Sequence, residues 1–114
     1  MTAEIRMHGG VGYLYADYRG AQTTPQLFAV LKSGGALLKK NPDITSMLCN
    51  FTGAALPPEF VQTLEQLGKT EEYRTALVGI EGFKKVIVDV LNSKTRYQTC
   101  IFDDEATALD WLVS

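Results

Sequence analysis

Between Tyr73 and Leu91 the chain reads YRTALVGIEGFKKVIVDVL, and its hydrophobic period changes across two glycines. Before Gly79, the run Ala76-Leu77-Val78 has the length and composition of a buried strand. After Gly82, the residues Phe83, Val86, Ile87, Val90 and Leu91 fall at i, i+3, i+4, i+7 and i+8, one stripe of a helix. Strand, glycine turn and amphipathic helix make a βα unit, and such units build sheets whose strands run parallel. Few other arrangements accommodate this stretch.

The flanking sequence repeats the unit with weaker punctuation. Ala3 to His8 alternates Ile5 and Met7 against Glu4, Arg6 and His8, and Gly9-Gly10 predicts a hairpin into a second strand, Val11 to Tyr18. Thr24-Pro25 opens a first helix, with Thr24 as its N-cap, that buries Leu27, Leu31 and Leu38 and ends at Asn41-Pro42. Gly34-Gly35 in its middle predicts a bend or a close approach to a neighbour. Ile44 to Phe51 is apolar on both faces, as an interior parallel strand should be.

A second helix from Pro57 or Pro58 buries Phe60, Leu64 and Leu67 and is capped by Gly68. The polar run Lys69 to Glu72 leads into the central unit. Asn92 to Arg96 then reads as a turn, and Tyr97 to Phe102 as a fifth strand. Asp103-Asp104-Glu105 crowds acid at the start of a last helix whose buried stripe is Ala108, Trp111 and Leu112. The order is ββαβαβαβα: a single α/β domain over 1–114, mostly parallel, with an antiparallel pair at its start.

Composition narrows the function classes. A chain of 114 residues supports one core, and a net charge of −2 provides no global field for nucleic acid. The pairs Lys39-Lys40 and Lys84-Lys85 read as solvated helix ends. Cys49 and Cys100 sit in strand-like apolar runs without metal or redox spacing, so both are expected to be buried and reduced. With no apolar leader and no run of membrane-spanning length, a cytoplasmic protein is expected.

The order ββαβαβαβα, the step ALVGIEGFKKVI and the ending CIFDDEATALDWL resemble the STAS-like domains, the fold of bacterial anti-anti-sigma factors, and in particular their small stand-alone members. The resemblance implies neighbouring strands pairing in sequence order, and a role in protein regulation or small-ligand binding without chemistry. It also places a regulatory surface at the loop after the third strand, around Asn50, Thr52, Gly53 and Ala54. Phospho-regulated members carry Asp-Ser-[Ser/Thr]-Gly there. This chain has Asn50-Phe51-Thr52-Gly53, without the aspartate. The CRAL-TRIO lipid carriers are larger and more distant relatives by architecture.

The residues themselves add two candidate surfaces. Helix N-termini face the loops leaving strands three, four and five, where Gly53, Gly79 and Gly82, with Glu81 between the last two, either admit a ligand or serve tight turns. Tyr13 and Tyr15 share one face of the second strand, either as packing or as an exposed interaction face. His8, the one histidine, reads as a solvent-facing strand residue, and the acid run as helix capping. No catalytic set, metal site or cofactor is expected. The function expected is a non-enzymatic regulatory or interaction module whose partner is a protein, a small ligand or a second copy of the chain. The alternative is an apolar-ligand or lipid carrier with a cavity between helices and sheet.

Overall fold

The computed structural model describes residues 2–69, 72–95 and 98–114. Its elements are β1 (Ala3–His8), β2 (Val11–Asp17), α1 (Thr24–Lys40), β3 (Ser46–Asn50), α2 (Pro58–Gly68), β4 (Arg74–Val78), α3 (Lys84–Lys94), β5 (Gln98–Phe102) and α4 (Glu105–Leu112). The expected order is observed. Tyr97, read as the start of the fifth strand, Arg96, and Thr70-Glu71 of the polar run lie outside the described residues.

The strands lie in the order β1-β2-β3-β4-β5, with β1 antiparallel to β2 and the remaining pairs parallel. Three consecutive crossovers step the same way across the sheet. Each is right-handed by the usual twist rule, so α1, α2 and α3 share one face. The last helix closes no crossover and is free to cover the other side.

Strand alternation divides the core accordingly. Ala16, Cys49 and Leu77 meet Leu27 and Val30 of α1, Phe60 of α2 and Val88 of α3. Tyr13, Tyr15, Leu48, Ala76 and Val78 meet Ala108 and Leu112 of α4. Phe60, Leu27 and Leu48 are fully buried, and trimming any of them to alanine costs about 2–5 kcal/mol.

Local chemistry sets the helix ends. Thr23, one residue before the expected Thr24, caps α1 in a capping box with Gln26, leaving Thr24 and Pro25 inside the first turn. Helix α1 runs unbroken through Gly34, where an added Cβ would lie 3.1 Å from Leu14 Cδ2. The glycine serves close packing on β2. Gly68 is the last residue of α2 rather than a left-handed cap beyond it.

The stripe read for α3 is corrected. Phe83, Val86 and Val90 are 75, 62 and 47% exposed, and Val88 is the helix's buried residue, with Lys84, Ile87 and Leu91 half-buried beside it. Apolar residues spread over more than half the circumference of this helix, from Val86 round to Val88, so the period alone did not select a side. The true inward stripe begins at a lysine, whose ammonium donates to the carbonyl of Ala54 at 2.7 Å.

Candidate functional site

Asp17, Asn50, Val78 and Phe102 pair with one another in a single row across the sheet. The loops leaving four parallel strands therefore meet at one carboxyl edge, the side of such sheets where ligands bind. The β3–α2 loop occupies the middle. Phe51 N–H donates to the carbonyl of Val78 at 2.7 Å, Gly20 N–H to that of Thr52 at 3.1 Å, and Ala55 N–H to that of Ala21 at 2.9 Å. Below it the Phe51 ring stacks on Tyr18 at 4.5 Å between centroids, and Phe60 meets both rings edge-on.

Asn50 links this loop to the opposite face of the sheet. Its side-chain oxygen accepts from the Thr52 N–H at 3.0 Å and the Thr52 hydroxyl at 2.7 Å. Its amide nitrogen donates to Glu105 Oε2 at 2.7 Å, and the Tyr15 hydroxyl donates to the same oxygen at 2.6 Å. The asparagine amide accepts from Thr52 and donates to Glu105 at once, which an ionised aspartate in its place could not do. Loss of water around Tyr15, then its bond to Glu105, push the phenol up to about 12.

Gly79 fits against this arrangement from β4. Its φ is +84°, and a Cβ added there would lie 2.4 Å from the Thr52 nitrogen and hydroxyl oxygen. The structure thus brings together Asn50, Thr52 and Gly79 from the expected set. Gly53 lies beside Thr52, and both are exposed. Ala54 is buried, serving as a packing residue whose carbonyl receives Lys84. Glu81 and Gly82 are exposed on the next loop, and no contact links them to the Thr52 network among the described residues.

The exposed tyrosine face is not found. Tyr13 and Tyr15 are each 3% exposed, because α4 packs on that side of the sheet and Arg6 covers the Tyr15 ring at 3.8 Å from its centroid. The sequence marks Glu105 only as part of an acidic helix start. Asp104 is the N-cap, accepting from Thr107 N–H at 2.8 Å, and Glu105 turns inward. No local signal in the sequence joins Tyr15, Asn50 and Glu105 to one another. His8 is half-buried, 3.7 Å from Asp110.

Between the sheet and the three helices lie two small apolar cavities. One, of about 80 Å³, is lined by Leu64, Leu77, Val88 and Leu91, the other, of about 100 Å³, by Leu14, Val30 and Gly34. Tyr18, Leu31, Met47 and Cys49 stand between them and line both. Burial pushes the Cys49 thiol up to about 12. Cys100, expected to be buried, is exposed, because it lies on the edge strand β5 beyond the cover of α4.

No protein-family model matches the chain, and no curated protein sequence matches it. Among solved structures it is similar to an uncharacterised protein of the DUF3478 family from Shewanella loihica, described as having a SpoIIAA-like fold. The TM-score is 0.69 at 22% identity, covering 97% of this chain and 92% of the other. At that identity the likeness concerns the fold. The chain has a SpoIIAA-like, STAS-like α/β fold, and none of its described helices is long and apolar enough to cross a membrane.

Proposed function

We propose that this chain is a regulatory binding module rather than a catalyst, and that a protein partner reads the loop from Asn50 to Ala54. One observation carries the reading. Thr52 and Gly53 are exposed at the carboxyl edge on a loop held by Asn50 from within, by Gly79 from one side and by Gly20 from the other. A surface loop fixed in this way binds without a large ordering cost. The groups that could do chemistry nearby are committed to structure: Glu105 to Tyr15 and Asn50, and Asp17 to Arg19. STAS-like folds typically act by binding, which agrees with this reading.

Contact with the partner does not require phosphorylation. The Thr52 hydroxyl is a hydrogen-bond donor to Asn50, and a phosphate would replace that donor with acceptor oxygens facing the Asn50 oxygen. The test is capture from an extract of the native cells by immobilised chain, read by mass spectrometry. Thr52→Arg should lower the melting temperature by no more than about 5 °C, through loss of the hydroxyl bond to Asn50, and lose the specific catch. An unchanged catch would remove the loop from the interface.

The paired apolar cavities favour a second reading, a carrier of a small apolar ligand. Each is far smaller than the several hundred Å³ of an ordinary ligand pocket, and for that reason this reading stands second. Octanol or octanoate retained by the folded chain in native mass spectrometry would support it. Absence of any adduct at millimolar ligand would end it.

A further inference from the structure

The outer side of α3 exposes Phe83, Val86 and Val90, at i, i+3 and i+7, the spacing of a seam on which a second helix packs. Beside the stripe, a groove of about 270 Å³ runs between α2 and α3, walled by Val61, Val86, Ile87, Val90 and Leu91. A projecting ring at Phe83 thus lies one turn from an apolar hollow on the same face. A surface carrying both a knob and its hole is self-complementary under a twofold axis, where residue i of one copy meets j of the other and j meets i.

The charges point the same way. Lys84 is tied to the Ala54 carbonyl, and Lys94 lies 3.9 Å from Glu65 of α2. The exposed charges left along the outer side of α3 are Lys85 and Asp89, one turn apart and opposite in sign. Such a face has no net field to hold an anionic membrane. If two α3 helices run antiparallel with Phe83 opposite Val90 of the second copy, each Lys85 falls beside the other's Asp89. We propose that this face is a homodimer interface, with α3 packed antiparallel on α3 and each Phe83 seated in the groove of the other copy.

The exposed apolar area is on the order of 300 Å² per copy, below the roughly 800 Å² per partner of a stable complex. The dimer is therefore weak and concentration-dependent. This face does not include Thr52, although Lys84 beside Phe83 bonds the Ala54 carbonyl at the end of that loop.

Sedimentation equilibrium of the full chain from about 10 μM to 1 mM tests it. The mean mass should climb from the 12.6 kDa of one chain toward twice that value. Phe83→Ser, at an exposed position, should keep the melting temperature and abolish the rise. Lys85→Glu and Asp89→Lys should each weaken association roughly 5- to 10-fold, and the exchanged pair should restore it. A constant monomer mass to 1 mM overturns the proposal, as does association that persists in Phe83→Ser. Co-sedimentation of a monomeric chain with phosphatidylglycerol vesicles, lost in Phe83→Ser, would assign the face to lipid and equally overturn it.

Discussion

The amide of Asn50 and the carboxylate of Glu105 meet at 2.7 Å across the end of β3, although 55 residues separate them in the chain. Asn50 is 6% exposed, so a charge introduced at this position is costly. Asn50→Asp would remove the donor and set a second carboxylate against Glu105. We expect a loss of about 2–4 kcal/mol in urea denaturation at pH 7. Adding Glu105→Gln should recover most of it, because the new amide donates to the aspartate. Equal stability of Asn50→Asp and the parent would mean that the network contributes nothing.

Gly79 and Gly82 both have positive φ, but only Gly79 is crowded. Gly82→Ala faces open space and should cost about 1 kcal/mol through backbone strain alone. Gly79→Ala adds overlap with the Thr52 backbone and should cost roughly 3 kcal/mol or more. Thermal melts of the two variants side by side separate the terms. Equal costs would show that the Thr52 loop moves aside freely.

How much of this was legible follows from which forces leave a local trace. The βα steps were readable because glycines and the change of period mark strand ends at Val78 and helix starts near Phe83. The carboxyl edge followed from topology alone. The Glu105–Asn50–Tyr15 network was not readable, since nothing near any one of these residues encodes the other two. Period reasoning also failed on α3, where Val86, Ile87, Val88, Val90 and Leu91 spread over more than half the circumference, and Lys84 takes an inward position through its reach to a carbonyl. For Tyr13 and Tyr15 the missing information was the placement of α4, which no crossover rule determines.

Tyr15 predicts a specific alkaline response. Its pKa is raised from 10.0 to about 12 in the folded chain, so the folded state holds the phenol proton more tightly than the unfolded state. That contribution is complete below pH 10 and is lost as pH rises toward 12. Tyr15→Phe should be less stable than the parent near neutrality, having lost the bond to Glu105, and should show a shallower decline between pH 10 and 12. Parallel declines in the two proteins would place the alkaline loss elsewhere.

The two cysteines should react very differently. Cys100 is exposed, and Cys49 is buried with its thiol pushed up to about 12. A bulky thiol reagent at pH 8 should modify one equivalent of native chain rapidly and the second only at the rate of opening or unfolding. In Cys100→Ala the fast phase should vanish. Two fast equivalents in the native parent would show that the cavity wall at Cys49 opens readily.

Cys49 also offers a way to test the cavities, because it lines both. A dry apolar void takes up xenon, and the nearest methyl groups report it in a carbon-correlated NMR spectrum. Under a few atmospheres of xenon, the methyls of Leu77, Val88 and Leu91 should shift, those of Leu109 and Leu112 on the α4 side should not, and the changes should saturate. Cys49→Leu inserts its added carbons between Tyr18, Leu31 and Met47. It should abolish the shifts and raise stability by up to about 1 kcal/mol where the fill is good. Destabilisation by more than about 2 kcal/mol would indicate overpacking, meaning that the walls are already in contact in solution. Without xenon shifts in the parent as well, the carrier reading would lose its physical basis.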